Sequence, residues 1–319
     1  MKKKISKILL VLIALVICGC TYGGAAYWYK NKKEREIENK IEEDIVESNP
    51  LYSLENYPKV DASLATQPLT NAFIKNFTGI EDIDEDSLNY SNTHPAYIKL
   101  INDEVDLIVV TEPSEEELKL ASDAGVELEV IPVVKEGFVF YVNAENKLDN
   151  LTTEQIQKIY TGEITNWKQV GGDDEKIIAY QRPVNSGSQT GMLSLVMKNL
   201  KLMEAPKENL IATMEEIINL VSSYKNARSA IGYSYYYYAT TMFQAIDSNV
   251  ASNIKLLGID GVKPNNQTIQ DSSYPFTTAY YIVINKADDE NSASRILVNQ
   301  MLSSRGQKVA EEAGYVPVK

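Results

Sequence analysis

Apolar and polar positions alternate along most of the chain in a way that predicts short strands and amphipathic helices in turn. The continuous apolar run EVDLIVVT (104–111) is typical of a buried strand, and VELEVIPVV (126–134) and GFVFYVN (137–143) predict two more strands in quick succession. Helical spacing marks PSEEELKLASDAG, in which Ser114 and Glu117 have capping-box spacing. This alternation predicts an α/β layered fold with a largely parallel sheet.

The middle of the chain continues the pattern. TTEQIQKIY predicts a helix, KIIAYQR a strand, and residues 190–201 another helix. The tyrosine run at 235–238 is expected to be mostly core, because a strand buries alternate side chains. Trp167 is expected to be a packed residue. No short-period repeat accompanies these elements.

The first 29 residues form a basic and then apolar segment with two interpretations. In one, MKKKISKILLVLIALVICGC is a lipoprotein signal peptide whose residues 17–20 resemble a lipobox, with Cys20 lipidated after cleavage. In the other, the apolar stretch continues to Tyr29, giving about 22 uncharged residues, enough to cross a bilayer. Both interpretations place the folded domain at the cell membrane, on its extracytoplasmic face.

A charged stalk is predicted at residues 30–55. KNKKEREIENKIEEDIVESNP is dense in charge and nearly free of large core residues, which is typical of a solvated segment. The folded domain is therefore expected at 56–319.

Composition excludes several classes of function. The formal net charge of −13 argues against a nucleic-acid surface, although one locally positive pocket can still bind a small anion. Cys18 and Cys20 are the only cysteines and His94 is the only histidine. We therefore expect no metal, cofactor or Ser-His-Asp catalysis in the folded domain. Because Ser186 and Ser188 have no base beside them in the sequence, binding is favoured over enzymatic catalysis, including serine hydrolysis.

Hydroxyl or small residues stand at three predicted strand-to-helix junctions. These are Ser63 and Thr66, then Thr93 as the expected N-cap with Pro95 just inside its helix, then Ser186, Gly187, Ser188 and Thr190. A helix N-terminus presents unpaired N–H donors, so several that converge would form an anion cradle. Arg182 adds a permanently charged fork suited to paired oxygens. We therefore expect the turn at 182–190 to hold a small oxyanion.

The stretch RPVNSGSQT resembles the phosphate-site segment of the phosphate-binding proteins of ABC phosphate importers, in which Arg precedes Ser-Gly-Thr by the same interval. VDASLATQPLTNAF, LTTEQIQKIYTGEITNWKQVGG and AIGYSYYYY are similar to other stretches of that family in the same order, and the similarity extends through most of residues 57–319. The resemblance implies a two-lobed periplasmic-binding-protein fold of type II. Each lobe would be a central sheet flanked by helices, with the ligand in the interlobe cleft and hinge closure around it.

Lobe bounds and site residues are also implied by the resemblance. The first lobe would comprise 56–136 and 274–319, and the second 137–273. The implied ligand-binding residues are Arg182, Ser186, Gly187 and Ser188 in the second lobe and Ser63, Thr93 and Thr111 in the first.

The first lobe departs from the family pattern. The opening motif usually reads Asp-Gly-Ser-Thr, but here it is DASL, so Leu64 replaces a hydroxyl donor. Thr111 falls where the family places an aspartate or a serine, and it supplies no charge. Glu112 follows it and would repel an anion if it pointed into the cleft. His94 is expected to be a surface or packing residue rather than a pH sensor, because the helix macrodipole disfavours its charged form.

The resemblance implies a membrane-tethered solute-binding protein that captures an oxyanion, foremost inorganic phosphate, and delivers it to the membrane subunits of an ABC permease. Reversible binding and lobe closure would suffice, without covalent chemistry. The alternative is a sensory or surface module with the same fold that binds a different solute or none. Leu64 and Glu112 favour that alternative, whereas the intact motif from Arg182 to Ser188 favours the first interpretation.

Overall fold

The computed structural model describes residues 49–84, 88–223 and 227–319. Within these ranges, Tyr52–Lys319 form one folded unit. The predicted leader or anchor at 1–29, with Cys20, and most of the predicted stalk lie outside the described residues. No helix in the described ranges combines the length and the apolar character that a bilayer span requires.

A mixed sheet of eight strands forms the centre of the fold. Its main path, in spatial order, is β1 (Val60–Ala62), β2 (Leu107–Val110), β9 (Thr277–Asn285), β3 (Leu128–Asn143), β6 (Ala230–Tyr235) and β5 (Ile178–Ala179). β7 (Ile254–Leu256) and β10 (Val316–Pro317) also pair with β3, while β4 (Asn150–Leu151) and β8 (Gly258–Ile259) form a separate pair. Helices connect and flank these strands, so the predicted α/β fold class is confirmed.

The long strand β3 connects the two halves of the sheet. Its first part, 128–137, pairs with β9, whereas its second part, 138–143, pairs with β6 and β7. The sequence predicts two strands here, but the structure has one, with a register shift between Pro132 and Val134. Gly137 marks the change of partner, where a Cβ atom would lie 2.9 Å from the side chain of Ile269.

The prediction of a largely parallel sheet is wrong. The pairs β1–β2, β5–β6 and β4–β8 are parallel, and the other five pairs among the described strands are antiparallel. Antiparallel pairing dominates because β3 and β9 run against each other and against each of their other neighbours. Apolar runs indicate which strands are buried but carry no information about strand direction.

Eleven α-helices occur among the described residues. They are α1 (Gln67–Thr78), α2 (Thr93–Ile101), α3 (Glu115–Asp123), α4 (Thr153–Thr161), α5 (Gly187–Gly191), α6 (Met214–Ser223), α7 (Phe243–Ile246), α8 (Ser248–Ala251), α9 (Asn266–Gln270), α10 (Ala293–Met301) and α11 (Ser304–Glu312). The capping box predicted for Ser114 and Glu117 is confirmed at the start of α3. The helix predicted at 190–201 begins earlier, with α5, and continues as a π-helical segment over Met192–Met197.

Aromatic side chains fill much of the core. The ring of Tyr233 packs against those of Phe138 and Tyr160, with centroids 5.5 and 5.7 Å away. Trp167 is buried and its indole N–H donates to the carbonyl of Ser229 at 3.1 Å. Three of the four tyrosines at 235–238 are also buried, so the expectation of a mostly core role is confirmed for them.

Candidate functional site

One cavity of about 340 Å³ is lined by all seven residues that were implicated in ligand binding. These residues are Ser63, Thr93, Thr111, Arg182, Ser186, Gly187 and Ser188. They come from four separate stretches of the chain, which the fold brings together. The cavity has two sides, which we call the Arg182 wall (residues 181–191) and the Thr93 wall (residues 61–66, 92–95 and 111).

Both walls lie where strands end. On the Thr93 wall, Ser63 follows β1 and Thr111 follows β2, and these two strands are parallel. On the Arg182 wall, Arg182 follows β5, which is parallel to β6. The carboxyl ends of neighbouring parallel strands share one edge of a sheet, where α/β folds commonly bind ligands.

The backbone of Arg182 is fixed by two side chains. Its N–H lies 3.1 Å from the side-chain oxygen of Gln189 and 3.0 Å from the phenol oxygen of Tyr233, and that phenol in turn donates to Gln189. The guanidinium is largely buried, and burial lowers the pKa of Arg182. Its Nε and Nη1 atoms have no hydrogen-bond partner among the described residues. A buried cation of this kind is strongly destabilised unless an anion pairs with it.

Two buried hydroxyls accompany the guanidinium. Ser188 is 3% exposed and Thr111 is 2% exposed, and neither hydroxyl has a hydrogen-bond partner in the described part of the chain. The Thr111 hydroxyl lies beside the phenol of Tyr235, which donates instead to the carbonyl of Gly187 at 3.0 Å. Since buried polar groups are normally hydrogen-bonded, this cluster is suited to a ligand with several acceptor oxygens.

Gly187 lies at the contact between the two walls. A Cβ atom on this residue would lie 2.4 Å from the Thr111 hydroxyl and 3.0 Å from the Thr93 hydroxyl. Only glycine permits so close an approach. Ser186 precedes it as the N-cap of α5, and its hydroxyl accepts the N–H of Gln189 at 3.3 Å.

The Thr93 wall differs in detail from the expectation. Asn92, not Thr93, is the N-cap of α2, and Thr93 is the first helical residue. The Ser63 hydroxyl lies 3.0 Å from that of Thr66, which also bonds to the carbonyl of Val109. Thr66 thus connects the beginning of α1 to β2 rather than facing the cavity.

Asp61 organises the Thr93 wall, a role that sequence reasoning missed. Its buried carboxylate accepts hydrogen bonds from the backbone N–H groups of Ala62 and Ser91, both at 2.7 Å, and from the Ser91 hydroxyl. Lys99 on α2 forms an ion pair with it at 2.7 Å. Burial acts to raise the pKa of Asp61, but the hydrogen bonds from Lys99, Ser91 and Ala62 outweigh it and leave this pKa below its usual value.

Leu64 lines the cavity, as its position in the opening motif suggests, but Glu112 does not. The Glu112 carboxyl instead accepts a hydrogen bond from Ser194, and burial raises its pKa. The expectation that this acid could repel an anion in the cleft therefore does not apply. Arg182 is the only Lys, Arg, Asp or Glu among the described residues of the lining, so the permanent charge there is positive.

His94 also lines the cavity, and its partly exposed side chain is consistent with the expected surface role. Its Nδ1 atom lies 3.0 Å from Oε1 of Glu117. No local pattern indicates this pair, because His94 and Glu117 lie on different helices. Among the described residues, no group of three or more His, Cys, Asp or Glu side chains could hold a metal ion.

An α/β fold with a central sheet flanked by helices and a polar cavity at its strand ends is that of a type II periplasmic binding protein. Residues 59–299 match the family model described as the PBP superfamily domain. The chain therefore belongs to the PBP superfamily.

Individual relatives are similar over different lengths. A phosphate-binding protein PstS from Borreliella burgdorferi is 27% identical over 191 residues, which cover 58% of this chain and 64% of that protein, less than two thirds of its length. A phosphate-binding protein PstS from Staphylococcus aureus (strain bovine RF122 / ET3-1) is 26% identical over 268 residues, or 82% of this chain and 79% of that one.

A solved structure supports the fold. The crystal structure of an ABC-type phosphate transport receptor from Vibrio cholerae matches 81% of this chain and 98% of its own, with a TM-score of 0.57 and 20% identity. At this level of identity, the similarity establishes the shared fold.

Proposed function

We propose that this protein is the extracytoplasmic solute-binding component of an ABC importer and that it binds inorganic phosphate in the cavity between the Arg182 and Thr93 walls. The observation that carries the proposal is the buried cluster of Arg182, Ser188 and Thr111, whose donor atoms lack partners among the described residues. A tetrahedral oxyanion supplies both the negative charge and the acceptor oxygens that this cluster requires.

The division of roles follows from the chemistry of each group. Arg182 neutralises the ligand's charge with a planar fork of donors, and Ser188 and Thr111 donate their hydroxyl hydrogens. Ser186, Ser63 and Thr93 complete the polar lining, while Gly187 allows the two walls to approach. No step forms or breaks a covalent bond, so the protein is not an enzyme in this proposal.

The relatives support phosphate as the solute. Two PstS proteins are named for phosphate binding and the Vibrio cholerae structure for phosphate transport. The partner would be the membrane subunits of an ABC permease. Tethering would use either a lipid on Cys20 or an N-terminal transmembrane helix. Closure of two lobes, 56–136 with 274–319 against 137–273, would enclose the ligand.

A sensory or surface module that binds another solute or none is the second candidate. The observation that favours it is Leu64, whose apolar side chain lines the cavity on the Thr93 wall. Such a protein would keep the fold and the charge of Arg182 but would not bind phosphate saturably.

Isothermal titration of the full chain, purified in detergent and stripped of bound anion, tests the proposal. We expect saturable phosphate binding that Arg182→Ala abolishes. Arg228→Ala is the matched control, because Arg228 is absent from the described lining of the cavity and forms exposed ion pairs with Glu145 and Asp173. Absence of binding by the wild-type protein would reject the proposal and favour the second candidate.

A further inference from the structure

A histidine–glutamate pair stands at the edge of the cavity. His94 lines it with a side chain that is 32% exposed, and Glu117 lies behind His94 with a side chain that is 1% exposed. The Oε1 atom of Glu117 is 3.0 Å from Nδ1 of His94, and its Oε2 atom accepts the backbone N–H of Ser114 at 2.7 Å. Both oxygens of the Glu117 carboxylate therefore have hydrogen-bond partners, Oε1 in His94 and Oε2 in Ser114.

This contact assigns the tautomer of the imidazole. A carboxylate only accepts hydrogen bonds, so the His94 nitrogen that faces it carries the hydrogen. In a neutral imidazole the other nitrogen then has a lone pair and accepts. Nδ1 is used by Glu117, so Nε2 is the nitrogen left for a ligand.

The buried charged and hydroxyl groups of the lining differ from this nitrogen. Arg182 can only donate, and the hydroxyls of Ser188 and Thr111 can adapt to either role. No Asp or Glu occurs among the described residues of the lining. Because Glu117 fixes the tautomer of His94, Nε2 can only accept a hydrogen bond. It does so in a cavity whose buried charged and hydroxyl groups can donate.

We propose that His94 determines specificity by accepting the hydrogen of a singly protonated tetrahedral oxyanion, and that Glu117 is the positioning residue that fixes its tautomer. This inference rests on the proposed function. Hydrogen phosphate carries such a hydrogen, whereas sulfate does not and would place an oxygen lone pair against that of Nε2. The site would therefore prefer phosphate to sulfate without using a carboxylate of its own.

Glu117→Gln tests the role of the pair directly. The Ser114 N–H still requires an acceptor, so the new amide oxygen takes that position and the amide NH2 group faces Nδ1. Nδ1 must then accept, and Nε2 carries the hydrogen. Titrations at pH 8 should show phosphate affinity reduced about tenfold and sulfate affinity raised, because one ligand hydrogen bond is lost and another gained.

Two controls accompany this variant. Glu115→Gln makes the same change of charge at an exposed position on the first turn of the same helix and should leave both affinities unchanged. His94 is the only histidine of the chain, so nitrogen NMR of protein without a histidine tag reports its tautomer without ambiguity. The protonated nitrogen should change from Nδ1 to Nε2 in Glu117→Gln.

An unchanged ratio of phosphate to sulfate affinity in Glu117→Gln would overturn the inference. If that variant does not fold, His94→Phe keeps a ring at this partly exposed position but removes both nitrogens, and it should lower phosphate affinity about tenfold while sparing sulfate. A wild-type protein that binds both anions equally would overturn the role of His94 alone. One that binds neither would overturn the proposed function as well.

Discussion

The two walls of the cavity are built in opposite ways. The Arg182 wall is one continuous stretch, 181–191, held from within by Gln189 and from the neighbouring strand by Tyr233. The Thr93 wall combines three separate stretches, and the carboxylate of Asp61 ties two of them together through Ser91 and Lys99. A contiguous wall can be recognised as one motif, whereas an assembled wall also depends on contacts between residues far apart in the chain, such as that of Asp61 with Ser91.

This difference separates charge from selectivity in the proposed site. Among the described residues, the Arg182 wall supplies the single permanent charge of the lining, which in our proposal governs whether an anion binds at all. The Thr93 wall supplies the hydroxyl of Thr111, the ring of His94 and the apolar side chain of Leu64, which in our proposal govern which anion binds. Substitutions in the Arg182 wall should therefore change the affinity for anions in general, whereas those in the Thr93 wall should change the preference for one anion over another.

After Arg182→Ala, Gly187→Ala should have the largest effect on phosphate binding, because it forces the walls apart where they meet. The new methyl group would lie 2.4 Å from the Thr111 hydroxyl, and overpacking of this kind typically costs about 1–3 kcal/mol. We expect phosphate affinity to fall up to about a hundredfold by titration calorimetry. The double variant Gly187→Ala/Thr111→Ala removes the clashing oxygen and should recover the melting temperature; no recovery would contradict this explanation.

Glu136→Gln addresses the sheet between the walls. Burial raises the pKa of Glu136 to about 7, although hydrogen bonds from the N–H groups of Gly137 and Tyr237 act to lower it. The pKa of Glu136 in the folded protein lies above its usual value of 4.5, so the protonated carboxyl favours the folded state. This contribution to stability is fully present below about pH 4.5 and is lost as the pH rises through 7. The free energy of unfolding should therefore be about 3 kcal/mol lower above pH 7 than below pH 4.5.

Denaturant unfolding of wild type and Glu136→Gln at pH 4.5 and pH 8 measures this difference. The glutamine cannot ionise, so the variant should gain stability relative to wild type only at the higher pH. Equal stability differences at both pH values would show that Glu136 does not titrate in this range.

Asp61→Asn should weaken the Thr93 wall alone. The amide loses the ion pair with Lys99, which is about one-third exposed, so we expect about 1–2 kcal/mol less stability at neutral pH. The wild-type contribution is present above the usual aspartate pKa and is lost as the pH falls through the lowered pKa of Asp61. Thermal unfolding measures the loss, and Asp103→Asn at an exposed position should be neutral. Phosphate affinity that falls as far as in Arg182→Ala would contradict the separation of the walls.

Leu64→Thr should have the smallest effect. It adds one hydroxyl to the Thr93 wall, and a net hydrogen bond of about 0.5–1.5 kcal/mol would raise phosphate affinity about threefold. Leu64→Ala removes the same apolar side chain without adding a donor and serves as the control. Titration of both variants distinguishes a gained hydrogen bond from a simple gain of space.

The sequence predicted the fold class and the Arg182 wall because both depend on local patterns. Capping at Ser114 and the hydroxyl-rich turn after Arg182 are readable within a few residues. The roles of Asp61 and Glu117 were missed because each depends on a partner far along the chain. Strand direction was missed for the same reason, since β9 takes its place in the sheet through long-range pairing with β2 and β3.

The position of β9 in the sheet also constrains how the chain can fold. β9 separates β2 from β3, so β1 and β2 have no connection to the rest of the sheet until it arrives. Leu128 pairs with Asn285, and pairing over so long a stretch of chain is slow and entropically costly. During synthesis, β2 and β3 therefore cannot be joined through β9 until residues 277–285 have left the ribosome. The nascent chain consequently keeps an unfinished sheet edge for most of its synthesis.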